Sequence, residues 1–218
     1  MYLYAWMKFV ETAPERYDKG MEVMTGGLLS KIKDDIVSLV PKGASVLDVG
    51  CGTATLPIKL VQNGSKVIGL DCSPQMLDIA QKNIQNANIS NEKLQLINDS
   101  VTQIKNLFAD GNFDVIVSTA ALGEFPKDYL IYIFEQCYRK LKPGGKLIVA
   151  DEVWPESFLG RIIHTLVMAA VWIPQFLVIR RVCYPIKNLQ KLIVQAGFKL
   201  ISAKKYGLNS FLLIEAER

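Results

Sequence analysis

The stretch VLDVGCGTAT, residues 46–55, decides the fold. The apolar run over 45–49 is uniform enough to lie in the middle of a sheet, covered on both faces. It carries one acid, Asp48, and then turns through Gly50 and Gly52. Two glycines let the backbone reverse tightly and approach a ligand with no Cβ in the way. A helix beginning near Ala54 then offers its unbonded N–H groups to that ligand. Strand, glycine turn and helix in this order build a cofactor turn.

A dinucleotide would require a third glycine three residues after Gly52. Thr55 stands there, so the Gly-x-Gly-x-x-Gly fingerprint fails. What remains is Asp-x-Gly-x-Gly, from Asp48 to Gly52. After a helix over 56–62 and a stop at Gly64, residues 66–70 (KVIGL) read as a second buried strand ending in Asp71. A carboxylate at that tip, about 20 residues past the turn, can accept from both hydroxyls of a ribose. Ser73 suits a helix N-cap and Pro74 suits its first turn. A third strand over 93–97 leads to Asn98, Asp99 and Ser100, and a fourth over 112–118 leads into Thr119 and on to Glu124. A helix over 129–141 precedes Lys142-Pro143-Gly144-Gly145, where the proline and glycines end it and reverse the chain into a fifth strand. The last elements are an amphipathic helix over 186–196 and two strands, 198–206 and 210–216. These form an antiparallel pair that completes a seven-stranded sheet.

These segments, in this order over roughly 45–150, resemble the class I S-adenosylmethionine-dependent methyltransferases. The resemblance rests on the Asp48–Gly52 turn, the D-x-S-x-x-M-L segment 71–77, the acid after the third strand, the FD-x-V strand and the LKPGG turn. It implies an α/β, Rossmann-like, mostly parallel sheet with helices on both faces, and S-adenosylmethionine as cofactor. Activity follows as direct methyl displacement onto a small, apolar acceptor. Residue roles follow too. The turn Gly50-Cys51-Gly52 wraps the amino-acid end of the cofactor and Asp48 helps hold its ammonium. Asp71 and Cys72 lie at the ribose, and Met76 near the adenine. Asp99 accepts from the adenine amine, with the Ser100 N–H beside it, and Thr119 opens the loop after the fourth strand. Ala54 departs from the glycine the family often has there. Tyr17, in Arg16-Tyr17-Asp18, is implied to reach the cofactor carboxylate; a tyrosine that merely packs a helix onto the sheet is the competing reading. The core looks like the ubiquinone/menaquinone branch. The start, 8–27, and the end, 196–218, look more like the corrinoid-protein-associated branch, which implies a corrinoid protein as a partner.

Half the residues are apolar and the net charge is only +4, with no dense basic run, so a nucleic-acid partner is not expected. Four scattered cysteines and a single histidine argue against a metal site and against a disulfide framework, and reduced thiols suit the cytoplasm. The organisation expected is a helical cap over 1–43, a core over 44–152 and 185–218, and an apolar helical insertion over 153–184. Within the insertion, the run 162–179 is flanked by Arg161, Arg180 and Arg181. A lid over the substrate site is the favoured reading, ahead of a helix on a membrane surface and of a true span. Thr12 and Glu15 have the spacing of a capping box. Two residues are candidates for acid–base work: His164 in the insertion, otherwise a packed core histidine, and Glu124 at the edge of the sheet where ligands collect. A catalytically silent cofactor-binding protein and a membrane-surface methyltransferase acting on lipid or quinone are the alternatives.

Overall fold

A computed structural model describes residues 17–154, 185–207 and 209–218, without the side chains of Met24 and Glu124. Seven strands form one sheet in the order β3-β2-β1-β4-β5-β7-β6: β1 Ser45–Val49, β2 Lys66–Asp71, β3 Leu94–Asn98, β4 Phe113–Thr119, β5 Leu141–Glu152, β6 Lys199–Tyr206 and β7 Phe211–Glu217. All neighbours run parallel except β7, which is antiparallel to β5 and to β6. The strand order reverses between β1 and β4, so their carboxyl tips diverge into a crevice. In open α/β sheets that is where ligands bind.

Side chains alternate along the central strands and feed two separate cores. Val46, Val115, Val117, Ile148 and Ala150 face one layer, built by α1 Tyr17–Thr25, α2 Leu28–Leu39, α3 Thr55–Gln62 and α4 Pro74–Asn86. Leu47, Val49, Ile116, Leu147 and Val149 face the other, built by α5 Ile104–Leu107, α6 Lys127–Lys140 and α7 Leu189–Gln195. Both faces are therefore dry, which explains why these strands lack a polar side. Asp48 is in phase with Val46 and turns toward the α2–α3 layer.

Differences from the sequence reading are local. The third and fourth strands each begin one residue later than expected, because Lys93 N–H donates to Ser90 O in the preceding turn and Asn112 N–H donates to Lys140 O. The sixth helix occupies 127–140 rather than 129–141, and LKPGG lies within β5 as an irregularity opposite Phe113–Val115. Gly145 is required there: a Cβ would come within 2.8 Å of Lys142 O. The helix expected from 186 begins at Leu189, because Ile186 is taken up in a bridge with Val153 and Asn188 adopts a left-handed φ of 57°. Trp154 N–H donates to Ile186 O, so the chain departs and returns side by side around 155–184. The 162–179 run, His164, Thr12 and Glu15 lie outside the described residues. No helix among the described residues is long and apolar enough to cross a membrane.

Candidate functional site

Tyr17 and Met21 of α1, Lys33 of α2, the 48–55 turn, the tip of β2 and the loops after β3 and β4 enclose a cavity of about 300 Å³. Its floor is the glycine turn. Gly50 and Cys51 donate their N–H groups to Leu70 O, which ties the turn to the neighbouring strand. Gly50 has φ +76°, and a Cβ there would sit 2.2 Å from the Ala121 Cβ. Gly50 is therefore small so that two protein loops can touch at the cavity floor. Gly52, at φ +53°, is the opposite case: a Cβ there would meet no protein atom. The third turn position, Ala54, adopts the left-handed φ of 62° that a glycine would take freely.

Asp71 organises two sides of the cavity. Its Oδ2 accepts from Gly52 N–H at 2.8 Å and its Oδ1 from Ser73 N–H at 2.9 Å. Both carboxylate oxygens keep lone pairs for a further donor, and the two bonds hold them in place. Ser73 caps α4, accepting from Met76 N–H at 3.3 Å, with Pro74 in the first turn. Met76 is buried in the wall and Cys72 is exposed at the rim. Asp99 N–H donates to Asp71 O at 3.1 Å, bringing the loop after β3 alongside. The Ser100 N–H, expected to serve the adenine, is engaged by the Asp99 Oδ1 at 2.7 Å.

Asp48 is the unusual group. It is 2% exposed, and its Oδ1 has no hydrogen-bond partner. Burial pushes its carboxyl up to about 7, a rise that nearby Lys33 opposes and Asp71 adds to. A buried carboxyl oxygen without a donor is costly unless a ligand supplies one. Thr119 Oγ1 is likewise buried without a partner on the same cavity wall. The Cys51 thiol is pushed well up by burial, then by Asp48 and Asp71, and so stays neutral and packs. These features fit a nucleoside with an amino-acid tail: two unsatisfied polar atoms, an oriented carboxylate for vicinal hydroxyls, and open space above Gly52.

The sequence reading missed two residues. Asp18 of α1 accepts from Thr53 Oγ1 at 2.6 Å and from Asn83 Nδ2 at 3.4 Å, latching the cap helix over the turn. Lys33 of α2 donates to Thr55 Oγ1 at the start of α3. The signal for Lys33 was present: in α2 only Leu29, Ile32 and Ile36 are buried, and Lys33 lies four residues after Leu29, along that apolar stripe. Of the expected residues, Tyr17, Asp48, Gly50, Cys51, Gly52, Asp71, Cys72, Met76, Asp99, Ser100 and Thr119 all line the cavity. For Glu124 only the backbone is described, in a short 3-10 turn after β4, so its side chain and His164 stay outside the site as described.

Residues 46–145 match the family of methyltransferase domains. Among curated proteins, the demethylmenaquinone methyltransferase of Listeria welshimeri is 32% identical over 153 residues, 68% of this chain and 62% of that protein. The chain thus spans about 62% of the length of such relatives. The magnesium protoporphyrin IX methyltransferase of Synechocystis, solved with bound S-adenosylhomocysteine, has a TM-score of 0.67 and 20% identity over 86% of this chain and 82% of its own. The cyclase SpnF has a TM-score of 0.68 and 14% identity over 86% of this chain and 80% of its own, so the shared architecture by itself establishes the fold and not the reaction. Domain match, curated relatives and strand-tip cavity agree: residues 46–145 form a methyltransferase domain, and the chain is similar to the demethylmenaquinone methyltransferases over 68% of its length.

Proposed function

We propose that the protein binds S-adenosylmethionine in the cavity above the glycine turn and directs methyl transfer onto a small apolar acceptor of the quinol class. One observation carries the cofactor assignment: the buried Asp48 Oδ1, without a donor of its own, faces the same cavity as the glycine turn and the Asp71 carboxylate. The acceptor class is supported by the demethylmenaquinone methyltransferases among the relatives and by Leu122 and Phe125 on the wall next to Thr119.

The residues present act by positioning. Asp71 orients toward a ribose, its carboxylate held by two backbone N–H groups. Asp48 takes the ammonium end. The Asp18–Thr53 latch holds α1 over the turn and keeps water out. When bound, the cofactor supplies a methyl group on a sulfur already charged for displacement, so alignment counts for more than acid–base help. A phenolic or carbon acceptor activated as its anion then needs only to be held in line. Glu124 and His164 are proposed as the residues to test for any proton removal.

Transfer from labelled S-adenosylmethionine to a panel of demethylated quinols and other apolar phenols tests this. The expected result is labelled acceptor with equimolar S-adenosylhomocysteine. Cofactor binding without transfer to any acceptor would overturn the enzyme reading and favour a silent cofactor-binding protein. An apolar acceptor, together with the arginine-flanked run 162–179, also supports work at a membrane surface. Liposome flotation of wild type, but not of a variant with charges at Val167 and Val171, is the outcome expected of that arrangement. A corrinoid-protein partner is supported by the two ends of the chain, and pull-down with a loaded corrinoid protein tests it.

A further inference from the structure

The wall beside Thr119 is carried by a short segment that the protein has to hold in place. Ala120 leaves β4 with a left-handed φ of 53°, a strained conformation for a residue with a Cβ. The 3-10 turn Leu122–Glu124 follows, and Ala121 before it offers no side-chain cap. Leu122 in this turn and Phe125 just after it line the cavity. Loops of this kind are ordinarily the mobile part of a fold. Here bonds to β5 hold the segment. Ala120 N–H donates to Ala150 O at 2.8 Å, and Leu122 N–H donates to the Asp151 Oδ2 at 3.0 Å. The first is a backbone bond open to any sequence. The second depends on one carboxylate.

Asp151 is 0% exposed, placed after the apolar positions Leu147–Ala150 of β5 and opposite Leu212 of β7. Burying a carboxylate there is unfavourable, and an apolar side chain would carry no such penalty. Its Oδ1 accepts from Glu152 N–H at 2.7 Å, so each oxygen accepts a backbone donor, and one of those donors belongs to the cavity turn. An amide of the same shape has a single acceptor oxygen, and its NH2 group would face one of the two N–H donors. Asp151 is not among the described residues that line the cavity, so any effect it has there passes through the turn.

We propose that Asp151 is a positioning residue for methyl transfer: through Leu122 N–H it fixes the Leu122–Glu124 turn, and with it Leu122 and Phe125, where they hold a flat apolar acceptor in line for displacement. The proposal rests on the acceptor reading above and goes beyond it by naming the group that sets the wall.

Steady-state transfer to a demethylated naphthoquinol, with S-adenosylhomocysteine affinity measured by calorimetry, tests this in Asp151→Asn and in Asp151→Ser. Both variants are expected to lose about 10- to 100-fold in kcat, the effect of displacing a positioning group by about an ångström. Their S-adenosylhomocysteine affinity and KM for S-adenosylmethionine are expected to stay within about threefold of wild type, because Asp71 and the glycine turn are untouched. Phe125→Ala is expected to lose acceptor kcat/KM as well. Adding it to Asp151→Asn is expected to cost no more than about threefold beyond the larger single loss, since both changes act on one wall. If kcat survives in Asp151→Asn, if the two losses multiply, or if cofactor affinity falls in step with kcat, Asp151 does not act through the wall. If neither variant folds well enough to bind S-adenosylhomocysteine, Asp151 is a folding residue and the proposal falls. If wild type binds S-adenosylhomocysteine but methylates no quinol or phenol, the acceptor reading fails first and takes this proposal with it.

Discussion

Asp48→Asn should make the free protein more stable and a poorer ligand binder at the same time. Burial raises the Asp48 carboxyl from 3.8 to about 7. The unfolded chain keeps the ordinary value, so the folded state binds the extra proton between about pH 4 and pH 7. The sign follows: stability falls as pH rises through that window and levels off above it. A gap of about three units corresponds to about 4 kcal/mol at pH 8, taken as a ceiling because Lys33 sits nearby. The amide carries no charge to desolvate, so the variant should gain of the order of 2–4 kcal/mol over wild type at pH 8 and nothing comparable at pH 4. Urea unfolding of both proteins from pH 4 to 8.5 reads the difference directly. Binding should move the other way, with S-adenosylhomocysteine weakened by about 1.5–3 kcal/mol through loss of the ammonium contact. The ligand's ammonium should also pull the Asp48 carboxyl back toward ionisation, so wild type should release a proton on binding near pH 6, seen as a dependence of calorimetric heat on buffer ionisation enthalpy. A variant no more stable at pH 8, with binding and proton release unchanged, would refute the claim that this carboxyl is held in waiting for a cation.

Three further outcomes are expected. Asp71→Ala removes the acceptor of both Gly52 and Ser73 N–H groups and should weaken S-adenosylhomocysteine by about 1–3 kcal/mol, measured by calorimetry. Gly50→Ala should be severely destabilised in thermal unfolding because its Cβ meets that of Ala121 at 2.2 Å; adding Ala121→Gly should recover all but about 1–2 kcal/mol, the remaining strain of a left-handed φ. Ala54→Gly relieves a left-handed, fully buried alanine and should raise stability by about 0.5–1 kcal/mol without changing the cavity.

What the sequence made legible follows the range of the physics. The central strands β1, β4 and β5 are apolar on both faces, and the chemistry of Asp48, Gly50 and Asp71 is fixed by short-range order along strand, turn and helix, so both could be read directly. The seventh helix was placed three residues early because Ile186, apolar and in phase with a helix, spends its backbone bonds on Glu152 and Trp154 instead. Asp18 and Lys33 were not assigned because their roles exist only once Leu29, Ile32 and Ile36 have laid α2 against the sheet. One reason for Gly50 escaped the sequence on the same ground: its crowding partner, Ala121, is distant in sequence. A lysine set among buried leucine and isoleucine positions is the local sign that could have pointed to α2.

The account depends on a nucleoside with a charged sulfur-bearing tail occupying the space above Gly52. A crystal structure of the protein grown with S-adenosylhomocysteine tests that most directly. Density is expected to run from the Asp99 loop, past the Asp71 carboxylate, to an amino-acid end between Asp48 and Lys33. A saturated crystal with clear protein density and an empty space beside the Gly50–Gly52 turn would contradict it.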